Sequence, residues 1–259
     1  MDAIEWARAH GATGDPQLEQ DRPWARTTRI GELWLKECRA VQIFEPHLTA
    51  ALYERWPDRV VEVVAHEEEH GWLLTRDAGT RIGENDRRWL DAVRRYVELQ
   101  QGEAAHADEH VAAGVPDRRL TTLSEWYVRL VDEVDDERLR RFAPRFAHLC
   151  EELASHGVPE TIQHDDLHQY NLYVRAGETR VLDWGDSCVS HPYFSLVATL
   201  RHVPDNGISR AFLDAWGGDE KTLALGLRIG RVAHAFKHHV TGDDDWPRVL
   251  ALAVAQTNE

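Results

Sequence analysis

At 259 residues, 42% of them hydrophobic, the chain has enough apolar material for one large domain or two smaller lobes. Its formal net charge of −15 argues against nucleic acid or an anionic membrane as the main partner and would suit a cationic one. No apolar run approaches membrane-spanning length, and Met1 opens a polar segment rather than a secretion signal. Cys38, Cys150 and Cys188 lie far apart without zinc-ligand spacing, so the expectation is a cytoplasmic protein with reduced thiols.

Residues 21–29 (DRPWARTTR) are a polar stretch ahead of the first clear strand. Residues 32–38 (ELWLKEC) alternate as a half-buried strand does, which puts Trp34, Lys36 and Cys38 on one face. Lys36 is one of only three lysines. A cation on the inner face of a strand needs a carboxylate or a phosphate; otherwise Lys36 is an edge residue that snorkels to water. Residues 44–56 (FEPHLTAALYERW) have helical spacing, with Leu48, Leu52 and Tyr53 as the apolar stripe and Pro46 in a tolerable first-turn position. That helix offers two candidate partners for Lys36, namely Glu45 and Glu54. Residues 60–64 (VVEVV) and 71–75 (GWLLT) read as strands joined through 66–70 (HEEEH). The histidines and glutamates of that run fit a solvated hairpin turn better than a metal cluster.

From about residue 84 helical spacing dominates, over 89–101, 123–134, 138–155 and 220–239, with a last helix starting at Trp246. The carboxylates of Asp243, Asp244 and Asp245 suit the start of that helix, and His234, His238 and His239 look like surface or core residues of the one before. Between these helices Thr161, Ile162 and Gln163 form a short run, followed by His164-Asp165-Asp166-Leu167-His168-Gln169-Tyr170-Asn171. Residues 172–175, a turn at 176–179 and residues 180–184 then predict a β-hairpin with Asn171 and Asp183 at its ends. The two segments spell H-x-D-x-x-x-x-N and, twelve residues later, D-x-G. Phosphoryl transfer needs one carboxylate to take or orient the acceptor hydroxyl proton, and oxygen ligands to hold Mg²⁺ against the phosphates. This is the order in which kinases place a catalytic aspartate and two magnesium ligands. Helices on both sides of central hairpins indicate an α+β fold.

HDDLHQYN followed by VLDWGDS resembles the aminoglycoside phosphotransferase family, which includes choline-kinase-like enzymes and whose members typically carry H-G-D-L-H-x-x-N and then a hydrophobic-D-W segment. The resemblance implies a bilobal protein-kinase-like fold, with a small β-rich lobe over residues 1–77 and a larger, mainly helical lobe over 78–259. It implies Asp166 as the catalytic aspartate, His164 as the brace of its loop, and Asn171 and Asp183 as magnesium ligands. It favours Glu45 over Glu54 as the partner of Lys36, and gives that pair the phosphates of ATP to hold. The adenine would lie against the backbone of residues 76–79. The implied activity is ATP-dependent transfer to a hydroxyl of a small molecule: an aminoglycoside or another antibiotic, an amino alcohol or a sugar.

Three departures accompany the resemblance. No G-x-G-x-x-G loop precedes Lys36, which leaves Arg26, Thr27 and Thr28 as candidate phosphate donors. Ser195 stands in SHPYFSL where relatives carry the second aspartate of G-D-P-x-x-D-L, and a serine has no charge with which to support the catalytic loop. Asp165 replaces a common glycine, with a structural role expected. His168 matches a frequent family histidine whose role the sequence does not reveal. Two other readings remain: a metal-dependent hydrolase built on His164, Asp165, Asp166 and His168, and a non-catalytic kinase-like ligand-binding protein.

Overall fold

The computed structural model describes residues 1–83 and 86–257. The chain forms two compact units that are discontinuous in sequence. The first is Met1–Tyr96 with Ala112–Val115 and Gln169–Asp186; the second is Val97–Val111, Pro116–His168 and Ser187–Glu259. The first unit therefore runs past the expected break after residue 77 and takes in the hairpin that follows the H-x-D motif.

In the first unit, helix α1 (Ala3–Ala9) starts at a capping box: the Asp2 carboxylate accepts from Glu5 N at 2.8 Å, and Glu5 reaches back to Asp2 N. Five antiparallel strands follow the order β1 (Pro16–Asp21), β2 (Ala25–Ile30), β3 (Leu33–Cys38), β5 (Trp72–Arg76), β4 (Val63–Glu67). None of α1, β1 and β2 was expected from the sequence, where residues 21–29 read as a polar stretch ahead of the first strand. Trp6, Ala3 and Ala7 of α1 pack on Ile30, Leu33, Leu35 and Leu74, which fixes that face of the sheet as core. Strand alternation then sends Trp34, Lys36 and Cys38 to the opposite face, where Lys36 and Cys38 meet Glu45 at the first position of α2 (Glu45–Arg55).

The β4–β5 hairpin is shifted from the expected 60–64 and 71–75. Val60 instead makes a parallel bridge to Val181, β4 begins at Val63, and His66 and Glu67 belong to the strand rather than to the turn. The hairpin of β8 (Leu172–Arg175) and β9 (Glu178–Val181) closes through two residues, Ala176 and Gly177, with φ of 54° and 87°. Positive φ at both central positions is the two-residue turn that matches strand twist, so the turn is tighter than the expected four residues. Strand β6 (Thr80–Arg81) pairs with β8 and completes a three-stranded sheet.

In the second unit, α5 (Leu120–Asp132), α6 (Glu137–Ser155), α9 (Glu220–Val240) and α10 (Trp246–Thr257) enclose a core that includes Tyr127, Phe142, Phe146, Ile229, Phe236 and Leu250. These helices, and α3 (Trp89–Glu103), lie within three residues of the spans expected from spacing. Strand β7 (Thr161–Gln163) pairs antiparallel with β10 (Cys188–Ser190), and a short 3-10 turn leads into α7 (Ser195–His202). Gly226 and Gly230 of α9 let that turn approach: a Cβ would come to 3.1 Å from Tyr193 and 3.0 Å from Phe194 and Val197. Among the described residues no helix is long and apolar enough to cross a membrane.

Candidate active site

The first unit carries a buried ion-pair cluster. Lys36 Nζ lies 2.6 Å from Glu45 Oε2 and 2.6 Å from Asp183 Oδ1. Glu45 is buried, Lys36 nearly so, and Asp183 is 47% exposed, so only the aspartate side of the cluster is open to solvent. Burial alone would lower the lysine, but the charges of Asp183 and Glu45 outweigh it and hold the ammonium well above its ordinary value. Burial pushes Glu45 up, and the charge of Lys36 offsets only part of this. The Cys38 thiol donates toward Glu45 Oε2 at 3.4 Å; burial first, then the glutamate charge, raises it into an unreactive state. Glu54, the other acid of α2, is exposed.

Asp183 sits in left-handed backbone, φ 67°, where a non-glycine residue is uncommon. The contacts of the 3-10 turn that follows, Trp184–Asp186, include one to Tyr96 and one to Gln42. Trp184 is fully buried with its ring 6.3 Å from Tyr96, and Gln42 donates to Asp186 Oδ1 at 3.1 Å. The same Gln42 side chain lies 2.4 Å from where a Cβ at Gly185 would stand, so a larger residue there would have to displace it from Asp186. Asn171 is buried at the head of β8, and its carbonyl accepts from Leu182 N at 3.1 Å, tying the two ends of the hairpin. An amide oxygen and a carboxylate are the hard oxygen donors that suit Mg²⁺, so Asn171 and Asp183 fit the ion chemically.

Of the three candidate phosphate donors, only Thr27 shares the Lys36 face, because the two residues pair directly across β2 and β3. Arg26 and Thr28 point to the α1 side, where they line a cavity of about 290 Å³ with Asp2, Ile4, Leu18 and Glu37. In the HEEEH segment, Glu67 accepts from the backbone N–H groups of Glu69 and His70 at 3.0 and 2.8 Å and lies 2.7 Å from His70 Nδ1. Glu67, Glu69 and His70 are near enough to share an ion, but these hydrogen bonds already account for their placement as a capped turn.

In the second unit the H-x-D loop leaves β7 with His164 completely buried. Asp165 adopts φ 55° and is buried, with Arg118 Nη1 donating to Oδ2 at 3.3 Å and His234 Nδ1 lying 3.2 Å from Oδ1. The residue is thus an anchor of the loop, as expected, and not a group open to substrate. Asp166 is 27% exposed and carries a partner on each oxygen: Lys237 Nζ at 2.6 Å from Oδ1 and His168 Nε2 at 3.1 Å from Oδ2. Burial would raise this carboxyl, but the His168 and Lys237 hydrogen bonds and the lysine charge hold it well below the usual carboxylate range. His168 in turn rests edge-on against His202, ring centroids 4.9 Å apart.

Ser195 sits at the start of α7 in a neutral network, accepting from Gln100 Nε2 at 3.3 Å and donating to Gln163 Oε1 at 3.4 Å. One turn later Thr199 donates to the Leu167 carbonyl at 2.9 Å. Support of the H-x-D loop therefore includes a hydroxyl at Thr199 as well as the Arg118–Asp165 pair. Sequence reasoning missed Lys237, Thr199, Arg118 and Gln42. Only Lys237 had a usable signal, as one of three lysines in the chain.

The model of the phosphotransferase enzyme family matches residues 8–225. Choline kinase LicA from Streptococcus pneumoniae superimposes with a TM-score of 0.69 at 14% identity, over 98% of this chain and 96% of that one. Macrolide 2'-phosphotransferase MphH from Brachybacterium faecium does so at 0.63 and 16%, over 98% and 96%. The GDP complex of aminoglycoside 2'-phosphotransferase-IIIa gives 0.65 and 14%, over 99% of both chains. At these identities the likeness shows a shared kinase fold. No curated protein matches the chain in sequence.

Proposed function

Because this chain belongs to the phosphotransferase enzyme family, we propose that it moves the γ-phosphate of ATP to a hydroxyl of a small molecule. The observation that carries the reading is the placement of Lys36 Nζ at 2.6 Å from both Glu45 and Asp183. A buried cation between two carboxylates is a ready phosphate anchor: Glu45, inaccessible, fixes the lysine, while Asp183 faces solvent and can turn to a ligand. Asn171 and Asp183 supply the oxygen atoms that would hold Mg²⁺. When bound, the ion would neutralise charge on the phosphate oxygens.

Asp166 would receive the hydrogen of the attacking hydroxyl. A carboxylate held so far below its ordinary range is a weak base, so its main contribution is orientation, with proton acceptance late in the transfer. Thr27 is the donor best placed to support Lys36 in the absence of a glycine-rich loop. His164, completely buried, acts through the loop and not on substrate. The acceptors to be tried are aminoglycosides, other hydroxylated antibiotics, amino alcohols and sugars. A nucleotide donor suits the cytoplasm, and since several structural neighbours are GDP complexes, GTP belongs in the test beside ATP.

The test is Mg²⁺-dependent nucleotide consumption against that panel, with Asp166→Ala in parallel. Stimulation by one acceptor class, lost in Asp166→Ala while nucleotide binding persists, is expected. Full turnover in Asp166→Ala, or failure to bind nucleotide at all, would overturn the reading.

A further inference from the structure

The face of the sheet turned away from Lys36 holds a cavity that phosphoryl transfer does not use. It lies between the start of α1 and strands β1, β2 and β3, with a volume of about 290 Å³. Cross-strand pairing sets its floor: Leu18 stands opposite Thr28, and Arg26 opposite Glu37. Thr28 is only 4% exposed, yet its hydroxyl makes no hydrogen bond among the described residues. A buried hydroxyl is ordinarily paired, so one that lines a cavity marks a place for a partner from outside the chain.

Water would satisfy that hydroxyl but not the rest of the lining. Arg26 Nε and Glu37 Oε1 stand 3.9 Å apart, too far for a hydrogen bond, and neither side chain makes one elsewhere among the described residues. An ion pair this open, with side chains 48% and 29% exposed, adds little stability and is easily parted. Arg26 thus offers a planar fork to a carboxylate, and Glu37 beside it offers an acceptor to an ammonium group. A simple acid entering here would meet Arg26 but also the carboxylates of Glu37 and Asp2, and a simple amine would meet the Arg26 charge. A head that carries both charges on one carbon suits both walls. Ile4, Pro16 and the exposed Leu18 supply apolar surface for the rest of such a molecule. Ligand cavities begin at about 300 Å³, so this one admits a single amino acid rather than a peptide.

We propose that this cavity binds a free α-amino acid with an apolar side chain. Its carboxylate lies on Arg26 and accepts from the Thr28 hydroxyl, its ammonium group lies on Glu37, and its side chain covers Leu18. Because Thr27 and Lys36 occupy the other face of the same strands, the occupant is neither the nucleotide nor the phosphate acceptor. The inference goes beyond the kinase reading and does not depend on it.

The test is calorimetry on the full chain with L-leucine and L-phenylalanine, neither of which has a hydroxyl to phosphorylate. Each is compared with analogues that lack one charge: 4-methylpentanoate and 3-methylbutylamine for leucine, 3-phenylpropanoate and 2-phenylethylamine for phenylalanine. At least one amino acid is expected to bind about tenfold or more tightly than both of its analogues. Arg26→Gln and Glu37→Gln should each weaken that binding about tenfold or more, and Thr28→Val several-fold. None of these changes should lower the Tm of the ligand-free protein, since Arg26 and Glu37 are loosely paired and the Thr28 hydroxyl has no internal partner to lose. No binding of either amino acid at millimolar concentration, an analogue that binds as well as its parent, or affinity unchanged in both Arg26→Gln and Glu37→Gln would overturn the inference.

Discussion

Replacing Asp165 by asparagine isolates a charge at the base of the H-x-D loop. The backbone there has φ 55°, and asparagine is among the few residues that adopt left-handed backbone readily, so the change adds little local strain. What it removes is the counter-charge of Arg118, whose side chain is only 5% exposed and whose Nε has no hydrogen-bond partner among the described residues. Across 3.3 Å, an effective dielectric of 20 gives about 5 kcal/mol of attraction. Because the amide can still accept one hydrogen bond from the guanidinium, the expected net loss is about 3 kcal/mol, at the lower end for breaking a buried pair. For a chain of this size that corresponds to a fall in Tm of about 6–12 °C. Urea and thermal denaturation followed by two probes would measure it, since two compact units need not unfold together. Adding Arg118→Met to Asp165→Asn should recover part of the loss, because the orphaned cation is then gone. A loss below about 1 kcal/mol in the single variant, or a purely additive double variant, would refute the argument.

Further outcomes follow from neighbouring contacts. Thr199→Val keeps the shape of the side chain but leaves the buried Leu167 carbonyl without its 2.9 Å donor, so stability should fall by about 1–2 kcal/mol and kcat should fall more than the nucleotide KM. Asp166 is held low by His168 and Lys237 against the effect of burial, so it contributes stability that is present above the unfolded carboxyl value and lost as pH falls. The urea midpoint difference between the wild type and Asp166→Asn should therefore be constant between about pH 6 and 8 and narrow below about pH 4. Burial, and next the nearby His156, lower His191 to about 3, so the folded state resists a proton that the unfolded state accepts. Its contribution is present above the unfolded value of about 6.5 and declines as pH falls toward the folded value, with a slope of up to about 1.4 kcal/mol per pH unit. His191→Asn, which keeps an acceptor for Tyr193 N, should flatten that slope in acid denaturation.

What could be read from the sequence was chemistry held in short segments. HDDLHQYN and VLDWGDS each place their functional groups within a few residues, so order and spacing alone suggest a reaction. The helices of the second unit were legible because their apolar spacing continues for three turns or more. Lys36 was found because a lysine within an alternating strand violates the pattern around it. Thr199 and Arg118, and Lys237 apart from its rarity as one of three lysines, were hidden for the opposite reason. Each lies tens of residues from the loop it serves, in a position that looks ordinary in its own helix or turn. The shift of β4 has a similar origin: Val60 is apolar because it pairs with Val181, far along the chain, and not because it belongs to the strand beside it. Strand β1 is exposed along its whole length, so it lacks the alternation by which a strand is recognised.

The most direct measurement of the central claim is the effect of Mg²⁺ on the affinity of a non-hydrolysable ATP analogue, in the wild type and in Asp183→Asn, because it needs no knowledge of the acceptor. Asparagine tolerates the left-handed backbone at this position, so the comparison reads the carboxylate itself. We predict that Mg²⁺ tightens binding by about tenfold or more in the wild type and far less in Asp183→Asn. Nucleotide binding that ignores Mg²⁺ in both proteins, or no binding in either, would contradict the account.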